Sequence, residues 1–370
     1  MSDEMEFLLS RILDWLQICD RYHEGCYYSL DNNILLDMSL AFTESGLKKK
    51  HQRYVFDEGI QSNFRVIDVE LGCVKDASLN DRYIAMSYVC NLPSMFTLRK
   101  DNAEHLYVEG YLKRIRVNLP KTINDAIDLV KAIGEKYLWV DSLCLIGDNE
   151  DDIALGIRIM NSVFQRSYFT IIAASGVDAN AGLWGVESNT KDKMLQQGPE
   201  VRISLKTMLS KSEYNKRGWT VQELALSRRA LIFINNRVFF QAASWDETSS
   251  EGKLAGLVDG DGDEPRICGL PSPLDSALPF VSAYMELFEE YSRRELRYDG
   301  DALRAFYGLL RALFAGMKTF AAEGLPAYYV NAFMLFTSPG ANLRRRHGFA
   351  SFSWAGRRTK VAAEIGRAHV

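Results

Sequence analysis

The sequence predicts an α/β domain of three layers, with a central, mainly parallel sheet flanked by helices, followed by a mostly helical C-terminal region. Two observations carry this expectation. Strand-like and helix-like patterns alternate over residues 83–175, and strands joined through helices run parallel. Residues Tyr137–Leu143 are nearly continuous in apolar side chains, as in a strand covered on both faces.

Residues 6–20 open the chain with a helical stripe of Phe7, Leu8, Ile12, Leu13 and Leu16. Phe64–Val69 alternates like a strand. Tyr83–Val89 is the next strand, and residues 91–118 follow as a long polar connection. Thr122 is the expected N-cap of a helix, with Asp125 in the capping-box position. Ile123, Ile127, Val130 and Ile133 form its buried stripe, and Gly134 is its stop. After the strand Tyr137–Leu143 comes a helix carrying Ile153, Ile157, Met160 and Phe164. Asp148, Glu150, Asp151 and Asp152 stand at its positive end. Phe169–Ser175 is a third strand of the alternating region, closed by Gly176. Residues 183–212 read as irregular, and Trp219–Leu226 as helical. Leu231–Ile234 and Val238–Gln241 form a hairpin around Asn235-Asn236-Arg237.

Residues 247–273, rich in Gly, Asp and Ser, read as a linker or long loop. Asp259–Glu264 within it starts like a calcium loop. Glu264 stands where that loop needs Gly, and Leu270 where it needs Glu, which excludes the reading. Phe280–Arg294 and Asp301–Phe320 are helical candidates, and Tyr328–Phe336 is apolar. The expected organisation is therefore an N-terminal extension over 1–70, the α/β domain over 71–246, the linker over 247–273 and the helical region over 274–363. Residues 364–370 read as translated adapter sequence, so the natural chain is expected to stop near Ala363.

A net charge of −4 and a pI near 5.9 argue against a general nucleic-acid partner. Arg344-Arg345-Arg346-His347 reads as a solvated loop. No run reaches the length a membrane span needs, and the acidic N-terminus lacks a leader pattern. A cytoplasmic protein is the expectation, with its six cysteines reduced rather than paired.

In an open parallel sheet, ligands bind beyond the carboxyl ends of the strands. Three corners qualify: Cys90-Asn91, Asp141 to Cys144, and Ser175-Gly176-Val177-Asp178. Asp141 sits in an apolar run, so it either pairs with a group such as Arg217 or caps a loop. Arg217, Trp219, Gln222 and Glu223 crowd one short segment. They suit either a nucleotide-like ligand, held by the guanidinium, the ring and the carboxylate, or a structural clamp around the Trp. Ser87, Cys144 and Ser175 complete the ligand-binding candidates. Cys144 lacks a motif-related histidine, so a buried structural thiol is its other reading. Cys19, His23 and Cys26 resemble half a zinc site, but no second pair follows at ligand spacing. The sequence names no cofactor.

Four segments in order extend the argument: Tyr83–Val89, Leu119–Ile127, Tyr137–Cys144, and Arg217–Leu224 continuing to Arg229. Together they resemble the heterokaryon-incompatibility (HET) domain of filamentous fungi. The flanks are similar too: Cys19, His23 and Cys26 upstream; Tyr291, Ser292, Arg294, Asp301, Ala305 and Gly308 downstream; then Ser353-Trp354-Ala355-Gly356. The chain departs from the usual pattern at Cys90-Asn91, where Trp-Gly is common, at Gly147, where Gln is common, and at Ile153 and Gly156. The resemblance implies a non-self-recognition, cell-death effector of fungal innate immunity, with other incompatibility or signalling proteins, or further copies of itself, as partners. A fold-level analogy to Toll/interleukin-receptor-like domains implies an alternative, an NAD-glycohydrolase-type enzyme centred on Glu223 and Asp141. The departures imply a third reading, a diverged inactive relative.

Overall fold

The computed structural model describes residues 3–22, 64–92, 94–186, 204–242, 278–316, 319, 321–327, 336–337, 344–350, 353–358 and 362–363. They divide into two compact units. The first draws on Met1–Tyr28, Glu58–Asn215 and Ser227–Ile267, and the second on Lys216–Leu226 and Cys268–Val370, with Ser29–Asp57 assigned to it as well.

In the first unit, α1 (Asp3–Tyr22) is longer than its stripe predicts. Its buried face is Met5, Leu8, Leu9, Ile12, Trp15, Leu16 and Cys19. Phe7 and Leu13 point outward instead, 66% and 45% exposed. Strands β1 (Arg65–Asp68) and β2 (Cys73–Asp76) form a hairpin. The expected alternation in β1 is absent, because all four of its residues are buried, Arg65 and Asp68 included. Strand β3 is Ile84–Tyr88. The polar connection after it is not patternless: it holds α2 (Ala103–Leu106), α3 (Tyr111–Arg114) and a 3-10 turn at Arg116–Asn118.

Helix α4 (Lys121–Ala132) packs on the sheet through Ile123, Ala126, Leu129 and Val130. Ile127 and Ile133 lie at the edge of that face, half-buried. Its N-cap is Pro120, not Thr122. Thr122 and Asp125 are turned instead to the loop after the third parallel strand. The Thr122 hydroxyl accepts the Gly182 N–H at 2.9 Å, and Asp125 accepts the Leu183 N–H at 2.7 Å while pairing with Lys121. The C-terminus closes as expected. Gly134 has φ +80°, and the Glu135 and Gly134 N–H groups reach back to the Val130 and Lys131 carbonyls at 3.0 and 3.1 Å, a Schellman motif.

Strand β4 is only Tyr137–Trp139, and the Asp141-Ser142-Leu143 that reads as its continuation belongs to a single helical turn, α5 (Asp141–Cys144). Helix α6 (Glu150–Arg166) buries Leu155, Gly156, Ile159, Val163 and Phe164. Ile153, Ile157 and Met160 are only half-buried. The face is rotated because Asp152 is a core residue rather than a cap. It binds Arg65 bidentately, Nη2–Oδ1 at 2.9 Å and Nη1–Oδ2 at 3.0 Å, and accepts the Ile146 N–H at 2.7 Å. Strand β5 (Thr170–Ala173) is wholly buried. Residues 205–211 then form α7 (Leu205–Lys211), where an irregular chain was expected, and α8 (Glu213–Lys216) follows. Strands β6 (Arg229–Ile234) and β7 (Arg237–Ala242) complete the unit. Asn235 and Asn236 both have positive φ, as a two-residue type I′ hairpin turn requires.

Among the described residues the seven strands form one sheet in the order β2-β1-β4-β3-β5-β6-β7. The four central strands run parallel, and antiparallel hairpins close the two ends. The mainly parallel centre predicted from the sequence is thus present, flanked by helices.

The second unit is mostly helical: α9 (Thr220–Leu226), α10 (Leu278–Ser292) and α11 (Arg304–Gly316) pack on one another. Short ladders pair β8 (Ala321–Ala322) with β9 (Leu325–Pro326), β10 (Phe336–Thr337) with β13 (Ala362–Ala363), and β11 (Arg344–Arg345) with β12 (Arg357–Arg358). Gly324 has φ +90°, and a Cβ there would stand 2.8 Å from both Leu303 Cδ2 and Trp354 Nε1. Gly324→Ala is therefore expected to cost roughly 1–3 kcal/mol, read as a lowered urea midpoint. His23, Cys26, the linker 247–273, Tyr328–Leu335 and residues 364–370 lie outside the described residues.

Candidate functional site

Because β3, β4, β5 and β6 are parallel, their carboxyl ends share one edge of the sheet. The three sequence-nominated corners lie along it, and hydrogen bonds join them. The Tyr88 hydroxyl donates to Ser142 Oγ at 3.0 Å, linking the first corner to the second. Asn91 Nδ2 donates to the Val177 carbonyl at 2.9 Å, linking the first to the third. Between the first and second corners lies buried Leu98. Its N–H donates to the Ser142 carbonyl at 2.8 Å, and its carbonyl accepts the Gly147 N–H at 2.8 Å.

Asp141 is half-buried at the first position of α5, and its Oδ1 accepts the Ser142 N–H at 2.7 Å. Burial first, and then the Asp141 carboxylate, push the Tyr88 phenol well above the ordinary tyrosine range. Ser87 is buried, with its hydroxyl 2.7 Å from that of buried Tyr214. The Ser175 hydroxyl donates to the Phe233 carbonyl at 3.4 Å. Tyr88 and Tyr214 were not singled out from sequence as site residues. Tyr88 could have been found as a hydroxyl at the carboxyl end of an otherwise apolar parallel strand.

Cys144 faces the core. Burial pushes its thiol up to about 12, outweighing the hydrogen bond from the Val140 N–H. The folded chain should therefore protect Cys144 from iodoacetamide at pH 8, with modification appearing only on unfolding, as read by peptide mass spectrometry. Between about pH 9 and 12 the unfolded chain releases this proton while the folded chain keeps it. This group's contribution to stability is thus present below pH 9 and lost as pH rises.

The departures from the family pattern fit locally. Cys90 Sγ lies 3.7 Å from Met95 Sδ. Exposed Gly147 has ordinary room for a Cβ, 3.6 Å from the Leu98 carbonyl, so Gly147→Gln should leave the melting temperature within about 2 °C of the wild type. Cys19 is buried on α1. Among the described residues no group of three His, Cys, Asp or Glu side chains is placed to hold a metal, and no helix is long and apolar enough to cross a membrane.

Arg217, Trp219, Gln222 and Glu223 belong to the second unit. Trp219 precedes α9, and its carbonyl accepts the Gln222 and Glu223 N–H groups at 3.2 and 3.4 Å. Gln222 is buried, and its Oε1 accepts the Gly308 N–H of α11 at 3.3 Å. Arg217, Trp219 and Glu223 are half-buried. The backbone at 216–218 pairs with Glu295, the Gly218 N–H donating to the Glu295 carbonyl at 2.8 Å. Arg294 closes the arrangement, with Nη1 on Thr220 Oγ1 at 2.8 Å and Nη2 on Glu290 at 2.9 Å. The downstream residues of the sequence pattern thus hold the Arg217–Leu226 segment in place. Tyr291 also takes part, donating to the Ala302 carbonyl at 2.6 Å.

Residues 83–223 match the family profile described as heterokaryon incompatibility protein (HET). Searches of the curated proteins and of the solved structures return no match. The matched span begins at Tyr83, beside β3, crosses β4 and β5 and ends in α9, so it covers the three corners and the Arg217–Glu223 segment. Residues 83–223 of this chain are thus similar to the heterokaryon-incompatibility (HET) domain, and that match supports an incompatibility-related function at the level of the family.

Proposed function

We propose that the protein is a cell-death effector of fungal non-self recognition that works in the cytoplasm by association, an incompatibility signal assembling HET domains without a chemical step. The observation behind this reading is how the signature's polar side chains are used. Ser87 is bonded to Tyr214, Ser142 to Tyr88, Gln222 to the α11 backbone, and the Arg217 carbonyl to Thr220 and Arg294. These are the bonds of a scaffold that fixes a surface. Partners would be other incompatibility or signalling proteins, or further copies of this chain.

Arg217 and Glu223, both half-buried in the Arg217–Leu226 segment, favour a second reading, an NAD-consuming enzyme centred on Glu223. Inducible expression of the full chain in yeast, with viability and cellular NAD followed together, separates the two. The association reading expects viability to fall with NAD intact, in the wild type and in Glu223→Ala alike. A fall in NAD that precedes death, and that Glu223→Ala abolishes while the chain stays folded, supports the enzyme. Full viability in both supports a diverged, inactive relative.

A further inference from the structure

We propose that Cys90 and Met95, on the carboxyl edge of the sheet, form a binding site for one soft monovalent metal ion, Cu(I). The site is independent of how the chain signals, because neither sulfur enters the association or the enzyme reading.

The starting observation is the convergence of two sulfurs. Cys90 Sγ lies 3.7 Å from Met95 Sδ. Two sulfurs bonded to one ion at about 2.3 Å each stand about 3.8 Å apart at a tetrahedral angle and about 4.0 Å apart at a trigonal one. The pair is therefore spaced to share an ion without movement of the backbone. The Tyr88 hydroxyl stands 3.9 Å from the same Sδ, so a third polar atom lies beside the two sulfurs. The Tyr88 phenol, pushed up first by its burial, is raised further by the nearby Asp141 carboxylate, so a negative charge borders the cluster.

Access separates Cys90 from its counterparts. Cys19, Cys73 and Cys144 are buried, and among the described cysteines Cys90 alone is half-exposed. Met95 is half-buried too. An ion can reach this pair without opening the fold.

Donor chemistry selects the ion. A thiolate and a thioether are soft donors, and together they favour Cu(I) over harder divalent ions. Zn(II) draws instead on thiolate, imidazole and carboxylate, and among the described residues no three such groups converge. Charge agrees with this choice. One thiolate and one monovalent ion make a neutral unit, which a half-buried position tolerates better than a bare charge. Binding is a proton exchange: the Cys90 S–H bond breaks, a Cu–S bond forms, and the proton leaves to solvent with no change in oxidation state. Met95 adds a sulfur lone pair, and its flexible unbranched side chain follows the ion. The site belongs to this chain in particular, because Cys90 stands where Trp is common in the family pattern.

The test titrates the reduced full chain with Cu(I) under argon against bicinchoninate, whose Cu(I) complex is read by its absorbance. The site predicts that the wild type takes from the chelator one Cu(I) that Cys90→Ser does not hold. Met95→Leu should weaken that ion's retention by about tenfold or more. Below the titration of the thiol, each rise of one pH unit should strengthen binding about tenfold, because one proton is released. Retention that survives Cys90→Ser assigns the ion to other thiols and overturns the site. Retention that Cys90→Ser abolishes but Met95→Leu leaves intact reduces it to a single thiol and overturns it as well. A wild-type chain that takes no Cu(I) overturns it outright. Circular dichroism checks that each variant is folded. Should Cys90→Ser be unfolded, Met95→Leu, which keeps the side-chain volume, decides alone: unchanged retention overturns the site.

Discussion

Asp152→Ala is expected to destabilise the full chain by about 3–5 kcal/mol, read as a lower urea midpoint with the slope retained. The side chains of Arg65 and Asp152 are 9% and 3% exposed. Removing the carboxylate leaves a guanidinium in the core and takes the acceptor from the Ile146 N–H. The remaining contacts of Arg65 are the Cys144 carbonyl at 3.3 Å and the Tyr107 hydroxyl at 3.2 Å. Neither carries a neutralising charge. Burial alone would lower the Arg65 pKa, yet the Asp152 partner leaves it raised overall, so the pair holds the charge rather than shedding it. A double replacement, Arg65→Met with Asp152→Leu, should recover most of the loss, because it removes both charges from the core together. A wild-type midpoint for Asp152→Ala would mean that the ion pair does not anchor β1 to α6.

The second large effect is expected in the second unit. Trp354→Ala should cost about 3–5 kcal/mol, as truncation of a buried Trp does. The indole is buried, donates from Nε1 to the Gly324 carbonyl at 3.1 Å, and packs against Phe288, Tyr291 and Phe306 with centroids at 4.9, 5.7 and 5.9 Å. The loss should be local. Hydrogen exchange should quicken in α10 and α11 while the β3–β5 ladder keeps its protection. Equal loss in the two would overturn the division of the chain into two compact units.

The central strands were readable because buried parallel strands and amphipathic helices leave apolar patterns, and the Asn235-Asn236 turn because few residues tolerate positive φ. What escaped reading has three physical sources. Asp152 occupies a core position, so counting apolar residues places the buried face of α6 one step away. Leu143 and Cys144 are as apolar as strand residues, so a helical turn that buries them is indistinguishable from an extension of β4. Thr122 and Asp125 have capping chemistry, but they spend it on Gly182 and Leu183, some sixty residues on. The same distance problem hid the cage around Arg217–Leu226. Its residues were visible as a pattern, but nothing local says that Arg294 and Gly308 touch Thr220 and Gln222.

That last arrangement has a consequence for synthesis. The chain makes α9 long before α10 and α11, the helices it packs on, while β6 and β7, which follow directly, already have β5 to join. At about 5–20 residues per second, the ribosome needs on the order of 5–20 s to go from Leu226 to Gly316. During that interval the sheet can close around its parallel core while Gln222 and Leu224 still await their neighbours. Nascent chains halted before Gly316 should therefore be bound by chaperones at α9, although the sheet of the first unit is already formed.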